Sequence, residues 1–415
     1  MKAEIVNVGD EILLGQIVNT NATFLSQALI SIGVEPKWIT VLGDSREDIL
    51  NGLEVAFRRA DVVMITGGLG PTHDDVTKYA VAEFFQSPLK IDPELYDKLK
   101  RRFEARGRPM PEVNRNQAEV PVKARVLPNP IGTAPGLLFE EEGRLCFILP
   151  GVPMEMRRLT EESVLPILSQ KLEGTGACLR FKTLRTTGIF ESKLMEVLGD
   201  VGAIEKFAKL AFLPHFYGVD LRLTVKSNSA SDCEKRLRQA EQLIRARVEK
   251  YIYGVNNETL EEKVAELLFK TKHTVAVAES CTGGLVSHKL TNIPGSSEYF
   301  DRAVVSYSNR AKMENLGVRP QTLEQFGAVS EETAREMAEG VRKMAGTDWG
   351  LSTTGIAGPG GGTPEKPVGL VYIGLSGESG TVVRRFIFTN DRLANKERAA
   401  YAALELLRRN LLKII

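Results

Sequence analysis

Histidine is scarce in this chain: four residues in 415, none in HExxH or a comparable ligand spacing. That disfavours a zinc hydrolase built on imidazoles. Cysteine is equally sparse. Cys146, Cys178, Cys233 and Cys281 are scattered without a CxxC pair, so neither a disulfide framework nor a zinc knuckle is indicated. No apolar run reaches the length of about 18 residues that a membrane helix needs. The N-terminal MKAEIVNVGDEILLG carries acids inside its apolar stretch and reads as a strand, not a signal peptide. The expected setting is the cytoplasm. A surplus of one charge is also missing: 54 basic against 53 acidic residues leave a net +1, which argues against a duplex-binding domain.

What is present is enough for several cores, with 43% hydrophobic and 26% charged residues. At about 100–200 residues per domain, the length suggests two to four domains. The first third alternates strands and helices. Ala3–Val8 is followed by a helix over 20–33 closed by Gly33, and Val34–Leu42 by a helix that Ser45 and Asp48 would cap. The all-apolar strand Val62–Thr66 then runs into Gly67-Gly68-Leu69-Gly70 and a further helix over Val76–Phe85. This rhythm predicts a doubly wound parallel sheet covered on both faces. Residues 94–120 read as a charged helix, and a long helix from Met154 to Leu172 closes a first domain at 1–172.

Glu173-Gly174-Thr175-Gly176 reads as a linker into a small α+β domain at 173–256. Gly199-Asp200-Val201-Gly202 matches the GXXG of KH modules, but the acidic centre would repel phosphates, so a turn is the simpler reading. The last domain, 257–415, begins at a Thr259/Glu262 capping box and is a separate α/β fold, with no repeat linking it to the first.

Four polar clusters fall at strand C-terminal ends of this last domain. Glu279-Ser280-Cys281-Thr282-Gly283-Gly284 lies where a buried strand gives way to a helix, a setting suited to anions and oxyanions. Ser280 could be a nucleophile but needs a base. His288, eight residues on, would lie about 12 Å away along a helix, out of reach. A buried lysine that loses its proton near neutrality is the alternative, and Tyr307-Ser308-Asn309-Arg310-Ala311-Lys312 supplies one. Thr353-Thr354-Gly355 and Asn390-Asp391-Arg392 are the other two clusters. Singly, each is what a serine cap, a core tyrosine or a surface lysine would also give; together they point to a site.

AESCTGG, VSYSNRAK, GAVSEETA, TGIAGPGGG with EKPVG, and the closing NDR helix resemble, in order, the C-terminal domain of the CinA family. The resemblance implies an α/β sandwich that hydrolyses the amide of nicotinamide mononucleotide to nicotinate mononucleotide and ammonia, without a cofactor. Carried over by motif, Ser280 is the expected nucleophile, Lys312 its base, and Tyr307 a pocket residue. Thr282, Gly283, Thr354 and Gly355 would contact substrate or its oxyanion, and Arg392 the nucleotide phosphate.

At the other end, Gly67, Gly68 and Gly70 with His73-Asp74-Asp75-Val76-Thr77 resemble a molybdopterin-binding signature, with Leu69 where threonine is usual. With Asp10-Glu11, Asn19-Thr20-Asn21, PNPIGTAPG and LPGVPMEM, the match is to the CinA N-terminal domain. It implies an ADP-ribose pyrophosphatase dependent on a divalent metal cation, with a monovalent cation as a further candidate. Asp10, Glu11 and Asp74 or Asp75 are the expected ligands, Asp75 the first choice of that pair, with helix capping as the competing reading for both. His73 is a substrate contact or exposed loop residue. The glycine turn could cradle phosphate. The partners expected are therefore small nucleotides, with neither membrane nor nucleic acid, and a homodimer is compatible with the modular layout. A binding protein for DNA uptake or recombination is the competing class, and a molybdopterin carrier the third; the neutral charge and Leu69 argue against them.

Overall fold

The computed structural model describes residues 1–72, 75–105, 107–172 and 178–414. The Glu173–Gly176 linker and the pair His73-Asp74 lie outside the described residues. Two compact units result, one of Met1–Arg180 with Val225–Lys235, the other of Phe181–Thr224 with Arg236–Ile415.

In the first unit the strands are β1 (Lys2–Val8), β2 (Glu35–Leu42), β3 (Val62–Thr66), β4 (Leu89–Ile91), β5 (Glu119–Pro121), β6 (Arg125–Leu127), β7 (Gly136–Glu141) and β8 (Arg144–Leu149). Six form one sheet in the order β2-β1-β3-β8-β7-β6, and β4 pairs with β5 apart from it. Neighbours from β2 to β8 run parallel, as the alternating pattern predicts. The sheet is mixed, however, because β7 and β6 add an antiparallel edge. Successive residues of β1 serve opposite cores. Ala3 and Ile5 join one cluster, and Val6 and Val8 the other, so both faces are dry.

Local signals placed most helices. Asn19 caps Thr20–Ser31, Gly33 follows it with φ +89°, and Ser45 accepts from the Asp48 N–H at the start of Arg46–Arg59. The helix expected over 94–120 stops at Glu104, and a 3-10 segment takes up Glu112–Ala118. Gly107 ends the helix at φ +68°, with the Gly107 N–H on the Glu104 carbonyl and the Arg108 N–H on the Phe103 carbonyl, and Pro109 and Pro111 keep it from resuming. The helix predicted from Met154 forms from Pro153 to Leu172, with a π turn at Thr160–Val164.

The middle segment contributes β9 (Cys178–Thr186), β10 (Lys209–His215), β11 (Gly218–Ser227) and β12 (Ile252–Val255), in the order β10-β11-β9-β12. Gly199 follows the helix Glu191–Leu198 with φ +61°, and Asp200 accepts from the Gly202 N–H at 2.8 Å, so the GXXG is a capped turn.

The terminal sheet holds β13 (Val275–Glu279), β14 (Phe300–Val305), β15 (Trp349–Gly355), β16 (Leu370–Gly377) and β17 (Gly380–Ile387), in the order β14-β13-β15-β16-β17. β14, β13 and β15 are parallel, and β16 and β17 antiparallel. Val275 and Val277 face the helices Leu260–Thr271 and Arg392–Leu411, while Ala276 and Ala278 face Glu331–Ala345. The second side is packed unusually close. A Cβ on Gly350 would meet the Ala338 carbonyl at 2.2 Å, one on Gly374 the Ala334 carbonyl at 2.6 Å, and Ser352 Oγ donates to that same carbonyl at 2.6 Å. Helix backbone therefore lies against strand backbone, and only small residues fit between them.

This close approach makes Gly350→Val a sensitive test. Overpacking of this kind costs about 1–3 kcal/mol, and the variant is expected to unfold several degrees lower than the parent in a thermal melt followed by circular dichroism. An unchanged melt would mean that the helix can move away freely.

Candidate functional site

β13, β14 and β15 deliver their carboxyl ends to one edge, the place where open α/β sheets bind ligands. β13 ends in Glu279, which is fully buried. Its carboxylate accepts from the N–H groups of Gly284 (2.8 Å), Val286 (3.2 Å) and Ser287 (2.9 Å), and from the Ser287 hydroxyl. These are donors that the first turn of the helix Leu285–Thr291 cannot satisfy internally. Gly283 and Gly284 adopt φ +60° and +97°, which lets the chain turn back over this carboxylate. Ser280 sits on that turn, its N–H bonded to the Thr353 carbonyl at 2.9 Å, and Thr282 shares a 2.7 Å hydroxyl contact with Thr353.

The decisive contact comes from the next strand. Ser308 caps the helix Asn309–Leu316, and one turn in, Lys312 points back into the sheet edge. Its Nζ lies 3.0 Å from Ser280 Oγ and 2.8 Å from the Ser306 carbonyl. Lys312 is 1% exposed, and neither of its two contacts is a carboxylate. Burial favours the neutral amine and lowers its pKa from the ordinary 10.5. A neutral amine at hydrogen-bond distance from a serine hydroxyl is the geometry of a general base and its nucleophile.

Tyr307 and Arg392 form a second pair. Arg392 donates to the Tyr307 hydroxyl at 2.9 Å and to the Gly358 carbonyl at 2.8 Å, and Tyr307 is 60% exposed. Arg392 opens the last helix behind the Asp391 cap. His288, discounted as a base, has Asn292 as its side-chain neighbour at 3.3 Å.

Two expected contacts are corrected. Thr354 is buried and donates its hydroxyl to the Ala328 carbonyl at 2.6 Å, so it holds the GAVSEETA loop and is not free for an oxyanion. Gly355 stays in the β15–β16 ladder opposite Val371, where a Cβ would meet the Leu370 carbonyl at 2.7 Å.

Sequence reasoning missed Glu279, Ser306 and Asn395. Ser306 has a buried hydroxyl without a partner beside the lysine contact. Asn395 ties Thr389 to the Ala357 carbonyl, fixing the loop before Gly358. The signal for Glu279 was available: an acid closing an all-apolar strand before a glycine turn.

At the N-terminal unit, Gly67, Gly68, Glu11, Asn21, Asp44 and Asp75 are among the residues around a cavity of about 290 Å³. Gly67 and Gly68 have φ +112° and +65°, and side chains there would meet the Val8 carbonyl and Thr77 Oγ1, each at 2.1 Å. Leu69 turns into the core. Asp75 accepts from the Gly70 N–H (2.7 Å), the Thr72 N–H (2.8 Å) and the Thr72 hydroxyl. Asp10 accepts from the Asp44 N–H at 3.3 Å. Asn129 gathers the PNPIGTAPG loop and donates to Glu155 of the following helix at 2.6 Å. Of the expected cation ligands, Glu11 and Asp75 line this cavity, and Asp10 lies beside Asp44, which also lines it. Among the described residues no three carboxylate, imidazole or thiol groups converge as a metal cage would require. Asp75 organises the turn.

Residues 257–411 match the family described as the CinA C-terminal domain, 4–170 the probable molybdopterin binding domain, and 181–254 the CinA KH domain. A putative competence-damage inducible protein of Caldicellulosiruptor saccharolyticus is 44% identical over 99% of this chain and its own full length. The chain belongs to the CinA family. A CinA-like protein of Chloroherpeton thalassium is 46% identical, covering 98% of this chain and 99% of that one. Among solved structures, a competence/damage inducible protein from Agrobacterium tumefaciens is 40% identical over 36% of this chain and 91% of its own, with a TM-score of 0.35. A CinA protein of unknown function from Thermoplasma acidophilum is 35% identical over 40% and 97%, with a TM-score of 0.38.

Lys312 also marks the pH dependence of folding. Its pKa is lower folded than unfolded, so between the two values the unfolded chain binds the extra proton and stability rises with pH. Lys312→Met is expected to melt above the parent at neutral pH, with the gap closing as pH approaches 10.5. A gap independent of pH would show that the buried amine carries no such cost.

Proposed function

We propose that the terminal domain is an amidohydrolase acting on nicotinamide mononucleotide. One observation carries the reading: a buried lysine amine, lacking a carboxylate partner at its contacts, 3.0 Å from a serine hydroxyl at a strand-to-helix turn. Neutral Lys312 takes the Ser280 proton as Oγ attacks the carboxamide carbon. The tetrahedral oxyanion is held by backbone N–H groups at Cys281 and Thr282, in the role that Thr354 does not fill. Collapse breaks the C–N bond as the Lys312 ammonium gives its proton to the NH2 nitrogen, which departs as ammonia. Water, deprotonated by Lys312, then cleaves the acyl-serine ester, giving nicotinate mononucleotide and regenerating Ser280. Arg392, released from Gly358, pairs with the phosphate, and Tyr307 lines the entrance beside it.

Purified protein is expected to release ammonia from nicotinamide mononucleotide, and Ser280→Ala to lose about 10³-fold or more of that rate. Lys312→Arg should be equally inactive, because a guanidinium does not give up its proton. In the parent, kcat/KM should rise with pH through a midpoint below 10.5, the direction of the Lys312 shift. Arg392→Gln should raise KM with little change in kcat. Ammonia release undiminished in Ser280→Ala would remove the serine from the mechanism.

A second reading concerns the N-terminal cavity, where the left-handed turn at Gly67-Gly68 presents backbone to the space that Glu11 and Asn21 border. We infer a nucleoside diphosphate substrate there, ADP-ribose being the fitting case, with the phosphates against the glycine turn. Gly68→Val, which would drive a side chain into Thr77, is expected to abolish AMP release from ADP-ribose while ammonia release from nicotinamide mononucleotide continues. Loss of both together would point to a folding defect and not to a second site.

A further inference from the structure

The second unit contains a larger cavity, about 680 Å³, that none of Ser280, Lys312, Tyr307 or Arg392 lines. Its walls are the segment after β9, the β10–β11 hairpin, β17 and the middle of the helix Arg392–Leu411. The volume is that of a small-molecule site. Its lining is dominated by rings and aliphatic groups, among them Phe190, Phe216, Tyr217, Phe386 and Phe388. Phe190 is 86% exposed and Phe216 63% exposed, an arrangement that water does not favour and that marks a place for an apolar partner.

The polar groups at this cavity have one sign in excess. Arg384, Arg398 and Arg409 face two carboxylates, Glu191 and Glu405. Glu405 is already bound to Arg408 at 2.7 Å and to Arg409 at 2.5 Å. Arg398 donates to the Phe216 carbonyl (3.0 Å) and the Thr389 hydroxyl (2.9 Å), its guanidinium 5.9 Å from the Phe216 ring centroid. Among the described residues neither Arg384 nor Arg398 has an ion-pair partner. His215 is not a competing anion anchor, since its two ring nitrogens meet Asp220 and the Tyr217 N–H.

We propose that this cavity binds a small planar aromatic compound bearing an anionic group, its ring between the phenylalanines and its charge at Arg398, whose guanidinium already lies beside the Phe216 ring. Arginine suits both halves, because its plane stacks on rings and its donors form a fork for carboxylate, sulfonate or phosphate.

Two dyes on the full-length protein test this. Anilinonaphthalene sulfonate carries the ring and the charge; N-phenyl-1-naphthylamine carries the rings alone. The sulfonate is expected to bind saturably at one site per chain. Arg398→Gln should weaken it by about tenfold, while changing the neutral dye less than twofold, and circular dichroism checks that the variant folds. Ala402→Trp, which fills the half-buried floor, should remove both dyes with the elution volume unchanged. Dye binding indifferent to Ala402→Trp would place it elsewhere and overturn the site. Sulfonate binding indifferent to Arg398→Gln would overturn the anion. An elution shift in Ala402→Trp would show that a second copy of the chain covers this face instead.

Discussion

An amine buried without a counter-charge is the constraint around which the terminal domain is organised. Water would hold the Lys312 ammonium far better than this site does, so the fold favours the state in which nitrogen keeps a lone pair. Everything nearby serves that condition. The Ser306 carbonyl takes one hydrogen, Ser280 lies at the other contact, and the helix carrying Lys312 is fixed by its serine cap. A carboxylate within reach would restore the charge and quench the base. Glu279, the carboxylate that ends β13 beside Ser280, is instead engaged by four hydrogen bonds from the turn and the helix that follows it.

The tight packing on the other face of the sheet supports the same geometry. Ala276, Ala278 and Gly350 bring the helix Glu331–Ala345 close to β13 and β15, and those strands carry Glu279 and Thr353 to the edge. A distance such as Ser280–Lys312 spans two strands and a helix, so it is only as precise as their packing. Site residues on rigid elements hold position better than residues on loops, and here the loops are tied down by Thr354 and Asn395.

Much of this was legible in the sequence. Periodicity and caps located the strands and most helices, and the recurrence of polar clusters at strand ends picked out Ser280 and Lys312 before their proximity could be measured. The misses have physical causes. Gly107 ended, and Pro109 and Pro111 kept from resuming, a helix that charge patterning alone would have continued to residue 120. Thr354 looked like a donor because its residue type and position were right. Its commitment to Ala328 depends on a loop 26 residues away in sequence, which no local pattern encodes. The antiparallel edge of the first sheet and the aromatic cavity of the second unit are likewise products of packing between distant segments.

Asp75 and Glu279 together explain the remaining disagreement. Both are acids beside a glycine turn at the end of a parallel strand, and in both the carboxylate accepts backbone N–H groups of that turn. The sequence reading treated Asp75 as a cation ligand and passed over Glu279, yet the same physics governs each. A glycine turn leaves donors that no ladder or helix satisfies. At Glu279 they are buried or half-buried, where an unpaired donor is costly, while at Asp75 the Gly70 and Thr72 donors are exposed. The nearest carboxylate meets that local demand with part of its acceptor capacity. An acid adjoining such a turn is better read first as the turn's acceptor, and as a ligand only through the lone pairs that remain. By that criterion Asp75 shapes the glycine turn in the first unit as Glu279 does in the second, and in each the chemistry belongs to the groups that the carboxylate leaves exposed.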